Sequence, residues 1–160
     1  MGSLINALPG AVSQGLVWGI MALGVYVTYR ILDVADLTVD GSLATGGAVC
    51  VILIRAGVNP WVAILAALVA GGVAGLVTAL LHTKCGIPAI LAGILTQLAL
   101  YSVNLRIMGG KSNQPVSVDK YPLLVSQRYV RELSLRNPIL LIVVIIAFII
   151  MVLYWFFGTE

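Results

Sequence analysis

Charge is what this sequence has least of. Only 9% of its 160 residues are Asp, Glu, Lys or Arg, and 61% are hydrophobic. Soluble domains carry about 25% charged and 45–50% apolar residues. A soluble globular domain is excluded, and so are an intrinsically disordered chain and a nucleic-acid-binding one, which need far more charge. Histidine is nearly absent: there is one, with six acids. No Ser–His–Asp arrangement or paired carboxylates can be assembled from such a set, so no enzyme and no cofactor are expected. The two cysteines, Cys50 and Cys85, lie in or beside apolar segments and make no disulfide framework. The net charge of +3 comes from nine Lys and Arg residues at the edges of apolar runs, as in membrane proteins.

What is present is long apolar runs, with a mean hydropathy of +1.09. Four stretches carry no Asp, Glu, Lys or Arg: Met1–Tyr29, Ala56–Leu81, Cys85–Leu105 and Asn137–Thr159. Each exceeds the roughly 20 residues that cross a bilayer as a helix. The first lacks the basic start of a cleavable signal peptide and leads into further spans. The expected fold is an all-α polytopic membrane domain with about five membrane segments, near 9–30, 37–55, 59–82, 86–106 and 137–158. A polar loop, 107–136, separates the last two.

The second segment is the irregular one. Gly41–Ile54 is charge-free but short, reaching about 21 Å as a helix against a hydrocarbon core of about 30 Å. It must borrow residues from Leu37–Asp40, tilt, or enter and return. Non-helical backbone at membrane depth is tolerated only where protein or a water-filled cavity shields it. A short, glycine-rich segment introduced by acids therefore points to a transport pathway. Asp33, Asp36 and Asp40 are half of all the acids, within eight positions. As a plain connection they would be solvated, with Asp40 capping the next helix. As functional residues they would form a polar girdle, with Thr38 and Ser42, along the translocation path.

Small residues recur at helix-packing spacing. Gly15 and Gly19 form one GxxxG pair and Gly71 and Gly75 another, extended by Ala66, Ala70 and Ala74. Such stripes let helix backbones approach closely in lipid. In the polar loop, Pro122–Leu135 fits a short amphipathic surface helix. Val125, Tyr129 and Leu133 share one face, and Gln127, Arg128, Arg131 and Glu132 lie away from it. Gly110–Lys111–Ser112 looks like the end of a phosphate loop. That motif needs a glycine five positions before Gly110, where Leu105 stands. His82, Lys84 and Cys85 cluster at a span end but are too few for a metal site, and Lys84 reads as an interfacial anchor.

The stretch Ile31–Ser42, I-L-D-V-A-D-L-T-V-D-G-S, resembles the I-D-L-S-V-G-S signature of permeases of bacterial ABC importers in the branched-chain amino acid and ribose class. Asp36, Leu37, Thr38, Val39, Gly41 and Ser42 match it, and Asp40 is an insertion. Gly19–Val25, G-I-M-A-L-G-V, resembles the helix of that family with G-x-x-A-L-G. Gly93–Gly110 resembles its fourth helix and Gly-Gly loop. The resemblance covers essentially the whole chain. It implies a multi-pass protein of the bacterial inner membrane, importing a small organic solute, with branched-chain or aromatic amino acids as the nearest class. It also implies a separate ABC ATPase, an extracytoplasmic substrate-binding protein and a second permease copy as partners. Members are usually nearly twice as long, so the resemblance implies an N-terminal half, as a fragment, a truncated gene product or a half-size subunit, and residues 1–160 alone are expected not to transport. The rival is a non-transporting scaffold that assembles partners through its GxxxG faces. A secondary transporter would need an ionisable residue inside a span, and the four long spans have none.

Sidedness is contested within the sequence. With five crossings and the N-terminus inside, seven Lys and Arg residues fall in inward loops: Arg55, Arg106, Lys111, Lys120, Arg128, Arg131 and Arg136. Only Arg30 and Lys84 fall outside, which the positive-inside rule favours. The family resemblance implies the reverse, with loop 107–136 outside. An outward basic loop then fits docking of an acidic face of the binding protein by Arg128, Arg131 and Arg136.

Overall fold

The computed structural model describes residues 2–34, 36–117, 119–121, 123 and 138–158. It is all-helical there. The helices are α1 (Gly2–Leu32), α2 (Thr38–Arg55), α3 (Pro60–Thr83), α4 (Ala89–Ile107) and α5 (Pro138–Phe157). All five are long and apolar enough to cross a membrane. The amphipathic surface helix expected at 122–135 falls outside the described residues, as do Arg128, Arg131 and Arg136.

The chain divides into two compact units. One comprises Met1–Ala22 and Leu124–Glu160, and the other Leu23–Leu123. In the first, Ser13 on α1 and Ile142 on α5 are buried. The second holds α2, α3 and α4, with α2 packed against both of the others and most extensively against α3.

The short second segment resolves as an unbroken helix. Thr38, Val39 and Asp40 join it at the start and Arg55 at the end, giving 18 residues, or about 27 Å at 1.5 Å per residue. Asp40 therefore sits in the first turn and does not cap it. Asp36 does that work from outside the helix: its Oδ1 accepts the Thr38 N–H at 2.8 Å.

Local chemistry explains the helix ends. Gly57 has φ +82°, and it and Val58 donate their N–H groups to Ile54 O and Leu53 O at 3.0 and 3.1 Å. This double bond closes the last turn of α2 and needs the left-handed conformation that glycine adopts without strain. Asn59 then caps α3, its side chain accepting from Trp61 N at 3.0 Å, with Pro60 in the first turn. Gly109 and Gly110 repeat the closing device after α4, bonding Arg106 O and Leu105 O at 3.1 and 2.8 Å. The Gly-Lys-Ser run is thus the exit of a helix stop, with no phosphate-loop geometry.

Packing in the α2–α4 unit is inverted relative to a soluble protein. The buried stripe of α2 is Thr38, Gly41, Thr45, Ala48 and Ile54, mostly at alternating spacings of three and four. Opposite it are Ala63 and Ala74 on α3, and Ala92, Gly93, Thr96 and Asn104 on α4. Large side chains such as Leu65, Leu68, Val69 and Leu98 are exposed. In lipid, apolar burial does not hold helices together, so association depends on close packing and hydrogen bonds. A Cβ added at Gly46 would lie 3.1 Å from Ala67 O, and one at Gly41 3.3 Å from Gln97 Cα. Two buried hydroxyls are satisfied on their own helices: Thr45 donates to Gly41 O at 2.8 Å and Thr96 to Ala92 O at 2.9 Å. Among the described residues, Asn104 Oδ1 is the buried side-chain atom left without a partner.

Candidate functional site

The site lies where the start of α2, the end of α3 and the start of α4 converge. Asp33 ends α1 in a left-handed turn, φ +55°, with its N–H on Tyr29 O at 3.0 Å. Its side chain is exposed in that turn. Asp tolerates the conformation better than most residues do. Asp36 follows and holds the first N–H of α2. Thr38 is 1% exposed, and its hydroxyl meets the Thr78 hydroxyl on α3 at 2.9 Å. From the other side, α4 presses in at Gly93, where a Cβ would lie 3.3 Å from Leu37 N and 3.4 Å from Thr38 Oγ1.

This convergence leaves a cavity of about 280 Å³. Its polar lining is Asp36 from the connection and Thr78, His82 and Thr83 from α3. Val34, Gly75, Ala79 and Ala89 complete an apolar wall. His82 is held by a 2.8 Å hydrogen bond between Nδ1 and Ile87 O, which also ties down the α3–α4 connection.

The five acids and hydroxyls expected on a pathway separate into two sets. Asp36 lines the cavity, and Thr38 supports it through Thr78. Asp40 is exposed and accepts from Gln97 Nε2 at 3.2 Å. The Ser42 hydroxyl donates to Val39 O at 3.0 Å, inside its own helix, and Asp33 stays in its turn. Of the four glycines expected at helix contacts, Gly71 faces Ser42 O at 3.5 Å from a would-be Cβ. Gly15, Gly19 and Gly75 meet nothing within 4 Å. Sequence reasoning missed Thr78, His82 and Thr83 as lining residues. Their signal was the spacing of Gly75, Thr78, Ala79, His82 and Thr83, one helical face of small and polar residues.

At the opposite end of this unit stand Arg55 and Arg106. Arg55 hydrogen-bonds the Gln114 side chain, and Gln114 donates to Met108 O at 2.7 Å. Residues 108–114 are thereby strapped to the end of α2. Arg30, in the last turn of α1, and Lys84, just after α3, are basic residues near the cavity end. Among the described residues there is no group of three His, Cys, Asp or Glu side chains fit to hold a metal ion.

Residues 8–160 match the model of the family described as branched-chain amino acid transport system, permease component. The chain belongs to this permease family. Among its relatives is the tyrosine transport system permease protein of Clostridioides difficile (strain R20291), 46% identical over 112 residues, which are 70% of this chain and 38% of that protein. Another is an uncharacterised protein of Rickettsia prowazekii (strain Madrid E), 36% identical over 146 residues, 89% of this chain and 50% of that one. The permease chain thus spans half or less of the length of these curated relatives. No solved structure matches it.

The permease is a multi-pass membrane protein. The Thr38–Thr78 contact yields a quantitative expectation. In a double-mutant cycle of Thr38→Val and Thr78→Val, unfolding in mixed micelles should show a coupling of about 0.5–1.5 kcal/mol, the range for hydrogen bonds between membrane helices. Additive effects would contradict a working bond between α2 and α3.

Proposed function

We propose that this permease chain serves an ATP-driven importer of amino acids in a bacterial inner membrane. The observation that carries the reading is its membership of the permease family together with its 46% identity to a protein named for tyrosine transport. ATP would be hydrolysed on a separate ABC ATPase. An extracytoplasmic binding protein would deliver the solute, and a second permease copy would complete the membrane part. The solute would pass the α1–α2 connection, with Asp36 and Thr38 at the path and Asp33, Asp40 and Ser42 along its rim. The packing faces at Gly15, Gly19, Gly71 and Gly75 would serve helix contacts in the assembled transporter.

A permease of the relatives' length, carrying these 160 residues as its matching part, should be reconstituted with such an ATPase and binding protein. Labelled tyrosine or a branched-chain amino acid should accumulate only with ATP and a competent ATPase. Accumulation without ATP, or of no amino acid at all, would contradict the reading.

The two guides to sidedness disagree, and docking follows the family guide: loop 107–136 faces outward and Arg128, Arg131 and Arg136 meet the binding protein. A single cysteine at Ser126 should react with an impermeant thiol reagent added outside intact cells. The triple glutamine variant should then weaken binding-protein affinity and its salt dependence, each exposed pair contributing about 0.2–1 kcal/mol. Reaction only after the cells are opened would place the loop in the cytoplasm and end the docking reading.

A further inference from the structure

The cavity at the end of the α2–α4 unit has a one-sided hydrogen-bonding character. Thr83 donates its hydroxyl proton to Ala79 O at 2.7 Å. Thr78 has Thr38 Oγ1 at 2.9 Å and Ala74 O at 3.5 Å, so its single proton goes to one of these two in either arrangement. The partner of His82 Nδ1 is the Ile87 carbonyl oxygen, which only accepts. Nδ1 therefore carries a proton, and in the Nδ1–H tautomer Nε2 presents a lone pair. Asp36 is a carboxylate with one oxygen engaged by Thr38 N–H, leaving acceptor capacity on the other. Val34, Gly75, Ala79 and Ala89 add no side-chain donor.

Every polar side chain on the lining is thus left as an acceptor. From these side chains a carboxylate or phosphate would receive lone pairs alone. A primary ammonium brings three donors and a positive charge, and hydrogen bonds to an ionised partner are the strong ones. A bound metal ion is a poorer match. Calcium takes six to eight oxygen ligands, and half of this wall is hydrocarbon. The same hydrocarbon suits the carbon body of an organic amine. The volume, about 280 Å³, lies near the lower end of small-molecule sites, which run from about 300 to 1,000 Å³.

We propose that this cavity binds the ammonium end of a primary amine, with Asp36 as counter-ion, Thr78, His82 and Thr83 as further acceptors, and the carbon body against Ala79 and Ala89. This deepens the amino-acid permease reading and rests on it: the cavity recognises the amino end of the solute and leaves its carboxylate to groups elsewhere.

The test uses the 160-residue chain in nanodiscs, with Cys50→Ala and Cys85→Ser as background and Ala79→Cys as the reporter. Cationic methanethiosulfonate ethylammonium should label it at least about tenfold faster than anionic methanethiosulfonate ethylsulfonate, since a site of one charge sign concentrates counter-ions by that order. The preference should persist in Asp36→Glu and in Asp33→Asn, which removes a charge outside the cavity. It should vanish in Asp36→Asn, with the helical circular-dichroism signal unchanged. Phenylethylamine should slow labelling, and 3-phenylpropionate, the same body with a carboxylate, should not. Equal rates for the two reagents, equal protection by the two ligands, or no labelling would overturn the proposal. Protection by sodium or magnesium ions alone would replace it with an inorganic cation site. Transport is read in a separate preparation, so the two ideas fail separately. Loss of charge preference with intact amino-acid uptake removes the ammonium site and leaves the permease reading standing. Intact preference with no amino-acid uptake does the reverse.

Discussion

Close backbone approach along α2 is the constraint on which the α2–α4 unit depends. In lipid a leucine gains little by leaving the hydrocarbon for a protein interior, so large apolar side chains cannot hold these helices together. What holds them is dispersion between backbones brought near enough to touch, with hydrogen bonds where a polar group is buried. The sequence meets that requirement with a seam of Thr38, Gly41, Thr45 and Ala48 on α2. Gly46 stands against Ala67 of α3, and Gly93 of α4 stands against Leu37 and Thr38 at the start of α2. The bulky residues face outward, where lipid solvates them at no cost.

The same seam produces the cavity. At the Gly41 and Gly46 levels the helices touch through backbone and short side chains. At the end of the unit, Asp36 and Thr38 stand between α3 and α4, and the hydroxyl pair Thr38–Thr78 replaces backbone contact. Polar groups are costly at membrane depth unless paired, so each is engaged by a carbonyl, an N–H or another hydroxyl. Pairing consumes the hydroxyl protons and the Nδ1 proton of the histidine. The acceptor-rich lining is therefore a by-product of how membrane helices satisfy threonine and histidine, turned toward open space.

Much of the fold was legible in the sequence, because twenty-residue charge-free runs have few other physical readings. The helix ends were legible too where chemistry is local, as at Asn59–Pro60. The length of the second segment was not. Its status depended on whether Thr38–Asp40 joined the helix, which Asp36 decides by capping from outside it. Site residues were half legible. Asp36 and Thr38 stood out through an acid cluster and a family signature. Thr78 and Thr83 share a helical face of small and polar residues, but nothing local says that this face of α3 meets a gap. The glycine stripes show the same limit. GxxxG spacing marks a face that can be approached closely, but only the tertiary arrangement decides which face is approached, and α2 found Ala67 through Gly46.

The seam between α2 and α3 is the claim on which the rest stands, and disulfide cross-linking tests it most directly. A Cβ built at Gly46 lies 3.8 Å from Ala67 Cβ, and disulfides join Cβ atoms about 3.5–4.5 Å apart. In membranes holding a chain without its native cysteines, Gly46→Cys paired with Ala67→Cys should cross-link on mild oxidation. Gly47→Cys with the same partner should not, since position 47 has nothing within 4 Å. Failure of the first pair, or equal cross-linking of both, would show that α2 does not meet α3 along this line.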